Sequence, residues 1–161
     1  MPTHSSDPKR QFVAVEDLLT RWLKERRMLL GKYTEIVVTL DSNLDNEAME
    51  QHQKVLCELL VDYVGAGHFE VFHELIDEAE SFDDGSGALA ERLLPAIGDT
   101  TEVILAYEEK YGNAMGHQEK LKSNLSALGE VLESRFILED QLIAGLHNRH
   151  RRLVKQAPLS A

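Results

Sequence analysis

From Phe12 to about Leu40 the apolar residues recur at helical spacing: Val15, Leu19, Trp22, Leu23, Leu29, Leu30, Tyr33, Val37 and Leu40. At about 100° per residue they gather on one side of a helix, so the spacing predicts a long amphipathic first helix. Its least helical stretch is EIVVTL (35–40), whose β-branched residues favour extended backbone. The turn and cap formers of DSNLDN (41–46) end it. A second helix, about Glu47 to Val64, gathers Met49, Leu56, Leu59, Leu60 and Tyr63 on one face. Gly65 and Gly67 then interrupt the pattern. A short third helix from His68 to about Glu80 presents Phe69, Phe72, Leu75 and Ile76.

After the acidic turn SFDDGSG (81–87), a fourth helix runs from Ala88 to about Tyr111. Pro95 lies inside it, and the missing N–H predicts a kink or short break there. GNAMG (112–116) leads into a last long helix from about His117 into the 140s. No run alternates with period two for long enough to form a strand. The expected fold is all-α, an antiparallel helical bundle with a four-helix core and an additional short helix. We expect one domain over 1–161, with residues 1–11 as an N-terminal tail and 152–161 as a C-terminal tail.

Composition narrows the partners. The chain has 161 residues, 43% of them hydrophobic, enough for one buried core. Its 28 acidic residues against 17 Lys and Arg give a net charge of −11. Such a chain is repelled by nucleic acid and by anionic membranes, so neither is an expected direct partner, and a basic protein surface is favoured. Acidity also serves plain solubility. The single cysteine, Cys57, excludes an internal disulfide and a thiolate metal cage. MPTHSSDPKR has no apolar core of a secretory signal, and no apolar stretch is long enough to span a membrane. The expectation is a soluble cytoplasmic protein.

Three charges fall on apolar seams. On the last helix Leu121, Leu125, Leu128, Leu132, Leu142, Ile143 and Leu146 share a face, with Arg135 and Glu139 at i, i+4 near its middle. Arg26 occupies a slot of the apolar stripe of the first helix. An unpaired buried charge is costly, so Glu139 is expected to pair with Arg26, Arg135 or both as a structural polar cluster. The competing reading is a ligand-binding cluster, but no nucleophile or metal set accompanies it.

Other chemistry is weakly signalled. GAGHFE (65–70) carries Glu70 where a dinucleotide fingerprint wants a third glycine, and a helix rather than a strand precedes it. As a helix stop the stretch makes sense, because glycine takes the left-handed conformation that ends helices. Glu70-x-x-His73 has di-metal spacing, yet no second Glu-x-x-His exists in the chain. His147 and His150 lie in the cationic HNRHRR, which would repel a metal ion, so no metal and no cofactor is expected. Arg149, Arg151, Arg152 and Lys155 suit a helix C-terminus through the macrodipole, with a nucleic-acid contact as the alternative. No nucleophile elbow is present, and the chain is not expected to be an enzyme.

Three stretches together carry a resemblance: LLTRWLKERRMLL (18–30), LLVDYVGAGHFEVF (59–72) and LGEVLESRFILEDQLI (128–143). In this order and spacing they resemble the Rsd/AlgQ family of bacterial anti-sigma factors. The resemblance implies a helical bundle that binds the C-terminal promoter-recognition region (region 4) of the housekeeping sigma factor. Binding would sequester sigma from core RNA polymerase and favour alternative sigma factors in stationary phase. It also implies a contact surface of Asp62, Gly65 and Phe69 with Leu18, Arg21 and Trp22 from the first helix. Where this chain has Gly65 some relatives carry Ser, so one hydroxyl contact is missing. The wheel leaves Asp62, about 120° from its apolar stripe, and Arg21, nearly opposite its own, free of core duty. Trp22 and Phe69 also suit a core. An adaptor for other cytoplasmic signalling proteins and a ferritin-like metalloprotein are the alternatives.

Overall fold

The computed structural model describes residues 7–40, 42, 45–112 and 118–156. Six α-helices follow in order: α1 (Pro8–Thr39), α2 (Asn46–Ala66), α3 (Phe72–Phe82), α4 (Ala88–Tyr111), α5 (Leu121–Leu146) and α6 (Arg151–Gln156). A π-turn (Gly67–Val71) joins α2 to α3, and short 3-10 turns precede α5 and α6. The chain runs up and down four times, with α2, the π-turn and α3 acting as one rod. α1 packs along both α2 and α3, while α4 packs against α2 and α5. The core takes up the expected Leu29, Leu56, Leu60, Leu75, Leu125 and Leu142 together with Ile36 and Ile104, while Leu30 and Val37 of the predicted stripe are exposed. No helix among the described residues is long and apolar enough to cross a membrane.

Several boundaries differ from the sequence expectation, each for a local reason. α1 begins at Pro8, inside the stretch read as a tail, because the Asp7 carboxylate caps the amides of Lys9 and Arg10 and proline suits the first turn. Residues 1–6 and 157–161 lie outside the described residues. EIVVTL stays helical to Thr39, with Ile36 fully buried. Asp45 caps α2 through the amide of Ala48, while Asp41, Asn43 and Leu44 lie outside the described residues. Of GNAMG only Gly112 is described, and His117, the expected start of the last helix, is also outside. The regular helix starts at Leu121. Pro95 does not end α4; both it and Glu91, whose carbonyl loses its partner, are exposed to solvent.

The seam charges form one network. Glu139 and Arg135 are fully buried. Glu139 accepts from Arg135 Nε at 2.8 Å, from Arg26 Nη2 at 2.9 Å and from the Tyr63 hydroxyl. Arg26 also donates to Asp140 at 2.7 Å and to Tyr63 at 3.0 Å. Arg135 Nη1 reaches α4, donating to the hydroxyls of Thr100 at 3.0 Å and Thr101 at 2.6 Å. Burial pushes the Glu139 carboxyl up, and the two guanidinium groups and the Tyr63 hydroxyl oppose that push.

A second network closes the other end of the bundle. The segment after α5 turns back, so His147 and His150 are buried rather than displayed in a cationic tail. Glu78 of α3 is fully buried between them, 2.5 Å from His147 Nδ1 and 2.6 Å from His150 Nδ1. Their Nε2 atoms meet Glu16 at 2.6 Å and Asp84 at 3.0 Å. Arg151 grips both oxygens of Glu16, at 2.7 and 2.9 Å. Each ring faces a carboxylate at both nitrogens. Phe12 stacks on His147 and Phe82 on His150. The Arg151 hydrogen bonds, opposed by burial and aided by His147, bring the Glu16 carboxyl down to about 2. Burial would raise Asp84, but Ser86 and His150 outweigh it and bring it to about 2.

Two outcomes follow from these networks. Glu139→Gln leaves two guanidinium groups without their carboxylate, and we expect a loss of about 3 kcal/mol in urea unfolding followed by the fluorescence of Trp22. Arg135→Met with Glu139→Leu should recover part of it, because an apolar pair leaves no orphaned charge there. Glu16 and Asp84 have folded values below their ordinary ones, so their contribution is present above the unfolded values and is lost as pH falls toward about 2. Hydrogen exchange should therefore show α6 opening between roughly pH 4.5 and 2. Glu16→Gln should remove most of that acid-induced change; an unaltered profile would contradict the assignment.

Candidate functional site

The feature that shapes the outer face of α1 and α2 is the π-turn. The amide of Phe72 bonds the carbonyl of Gly67, a five-residue step. Ala66 and Gly67 keep right-handed backbone, with φ of −61° and −59°. The glycines therefore do not stop the helix in a left-handed cap, as the sequence suggested; the rod continues with one residue bulged into it. Gly67 is needed for space, since a Cβ there would lie 2.9 Å from Trp22 Cζ2 and 3.3 Å from Phe72 Cζ. At Gly65 a Cβ would meet nothing within 4 Å.

Trp22 is what Gly67 makes room for. Its ring stacks on Tyr63 at 4.7 Å, meets Phe72 edge-on at 5.7 Å, and donates Nε1–H to the carbonyl of Tyr63 at 3.1 Å. Trp22 is 2% exposed and Leu18 9%, so both side chains belong to the core, beneath the face rather than on it. Phe69 is the opposite case. The sequence placed it among the apolar positions of the third helix, but the bulge turns it outward, 81% exposed, with His68 edge-on at 4.8 Å.

Glu70 follows this ring directly in the chain, and Asp62 and Glu70 are exposed. Glu25, on α1, has its carboxyl raised by burial and then by the repulsion of Asp62 and Glu70, with Arg21 opposing, so charges of α1, α2 and the π-turn feel one another here. Arg21 is also exposed and makes a loose pair with Asp17 at 3.6 Å. Of the sequence-derived set, Asp62, Arg21 and Phe69 are thus at the surface, Gly65 is half-buried, and Leu18 and Trp22 lie in the core. Glu25 and exposed Val61 were not singled out from sequence, although Glu25 stands one turn beyond Arg21.

The alternative chemistries find little support here. Glu70 does not join His73 in a ligand set; among the described residues the one such group is His73, Glu74 and Asp77, with ligand atoms within 4.8 Å. Cys57 is buried, and burial pushes its thiol up to about 12, far from a reactive thiolate. The exposed features of this stretch are the Phe69 ring and the carboxylates of Asp62 and Glu70.

Comparison with known proteins decides the family. Residues 1–147 match the family described as regulator of RNA polymerase sigma(70) subunit, Rsd/AlgQ. The chain belongs to the Rsd/AlgQ family. It is 30% identical over 131 residues to the regulator of sigma D of Yersinia enterocolitica, covering 79% of this chain and 78% of that protein. It is 35% identical over 134 residues to the regulator of sigma D of Salmonella paratyphi A, covering 78% and 79%. No solved structure matches it. Rsd/AlgQ is a family of sigma-factor regulators and not a family of enzymes.

The π-turn allows a paired test in this Rsd/AlgQ chain. Gly67→Ala forces a methyl against the pinned Trp22 ring and should cost about 1–3 kcal/mol. Gly65→Ala meets open space on right-handed helix and should be neutral or stabilising by up to about 1 kcal/mol. Thermal unfolding of the two variants side by side would show it, and equal effects would contradict this account of the bulge.

Proposed function

We propose that this protein binds the C-terminal promoter-recognition region (region 4) of the housekeeping sigma factor and withholds it from core RNA polymerase. The observation that carries the reading is Phe69, an aromatic ring left exposed on the π-turn, with the mutually repelling carboxylates of Glu25, Asp62 and Glu70 contributed by α1, α2 and the same turn. A DNA-reading domain is basic, so an acidic face attracts it over distance and speeds encounter. The ring then supplies the apolar anchor that most interfaces rely on. Arg21 offers a donor at the rim, Gly65 leaves the partner room between Asp62 and Phe69, and Leu18 and Trp22 hold the face from below. Binding alone accounts for the regulation, with no catalytic step and no cofactor. Since region 4 reads the promoter −35 element, its capture lets alternative sigma factors compete for core enzyme in the cytoplasm, notably in stationary phase.

Titration with the isolated sigma C-terminal domain tests this. Phe69→Ala should weaken the complex by about tenfold to a hundredfold without changing stability, since the ring is exposed. Asp62→Asn should lower the association rate and flatten its dependence on salt. Wild-type affinity in both variants would refute the assigned face, and absence of binding by the wild-type protein would refute the function.

A further inference from the structure

The segment Asn148–Gln156 follows the last residue of the family match and has two unlike faces. Its inner face is used up: His147, His150 and Arg151 are matched by Glu16, Glu78 and Asp84. Its outer face carries Arg149, Arg152 and Lys155, all exposed and three residues apart. At 3-10 and α-helical rises that spacing sets the cations roughly 5–6 Å apart along one stripe. Arg149 has only a 3.6 Å contact with Asp84, and Arg152 and Lys155 pair with no carboxylate among the described residues. The stripe borders an open cleft of about 770 Å3 lined also by Asn148, by the already paired Asp84 and Arg151, and by Leu153, which is 51% exposed. On a chain of net charge −11, two unpaired cations and a loosely paired third beside an exposed leucine form a local reversal of sign.

We propose that this outer face is a docking surface for a short acidic segment of a partner protein. The macrodipole explains cations near a helix end, but it does not call for a cleft or an apolar residue among them. Carboxylates on successive helical turns stand at the spacing of the stripe, and one apolar side chain between them would cover Leu153. The buried network beneath fixes the stripe in place before binding, which lowers the ordering cost of recognition. A long polyanion fits less well, because beyond the stripe it would meet the acidic remainder of the surface.

The test uses the full chain and a fluorescent glutamate-rich peptide carrying one leucine, read by anisotropy. The same measurement is made with a single-stranded oligonucleotide of equal charge. The peptide should bind the wild-type protein in a salt-sensitive manner and more tightly than the oligonucleotide. R149A/R152A/K155A should weaken it about tenfold, and Leu153→Ser should weaken it at unchanged salt dependence. Circular dichroism should be unchanged in both variants, as all four side chains are exposed. Affinity for the sigma domain should also stay at the wild-type level, so the two surfaces succeed or fail separately. No peptide binding, equal binding by the triple variant, or tighter binding of the oligonucleotide would each overturn the proposal.

Discussion

The buried Glu139 carboxylate is the contact on which the arrangement of the four long helices depends. Apolar packing tolerates small slides of one helix along another; a carboxylate served by three directed donors does not. Those donors come from α1, α2 and α5, and Arg135 extends the link to α4 through Thr100 and Thr101. One charge deep in the core thus touches every rod of the bundle. Its desolvation is costly, and three hydrogen bonds to the carboxylate offset that cost while fixing a single register, although Arg135 Nη2 is buried without a partner among the described residues.

The outer face inherits its geometry from that centre. Tyr63 donates to Glu139 and carries Trp22 stacked on its ring. Trp22 in turn lies against the one position, Gly67, that has no side chain to obstruct it. The bulge beside Gly67 then leaves Phe69 exposed. A chain of contacts therefore runs from the core ion pairs to the ring proposed to meet sigma. The far end is secured separately, by Glu78 between two histidines, so recognition and closure rest on different charges.

Helical periodicity made the bundle, its seams and the partnership of Glu139 legible in the sequence, because 3.6-residue spacing marks any charge that falls among leucines. The exposure of Asp62 and Arg21 was legible for the same reason. What stayed hidden depends on contacts far apart in the chain or on one-residue irregularities. Two glycines one residue apart look alike whether they stop a helix or make room for a tryptophan 45 residues earlier (Gly67 and Trp22). Glu78 and the two histidines are separated by 69 and 72 residues, and HNRHRR by itself reads only as cationic. The wheel placed Phe69 with Phe72 and Leu75 because it assumed an unbroken period, which the π-turn violates.

That violation bears on how the gene can change length. A π-turn is a helix carrying one surplus residue, so losing one residue near Gly67 would leave an intact, regular helix. It would also rotate everything downstream by about 100°. Phe72, Leu75 and Ala79 would leave the core, and Glu78 would swing away from both histidines. A deletion that improves local helical geometry would therefore disassemble a distant ion network. Length in this stretch should be far less permissive than its sequence, and single-residue gaps should be tolerated only in the loops between the long helices.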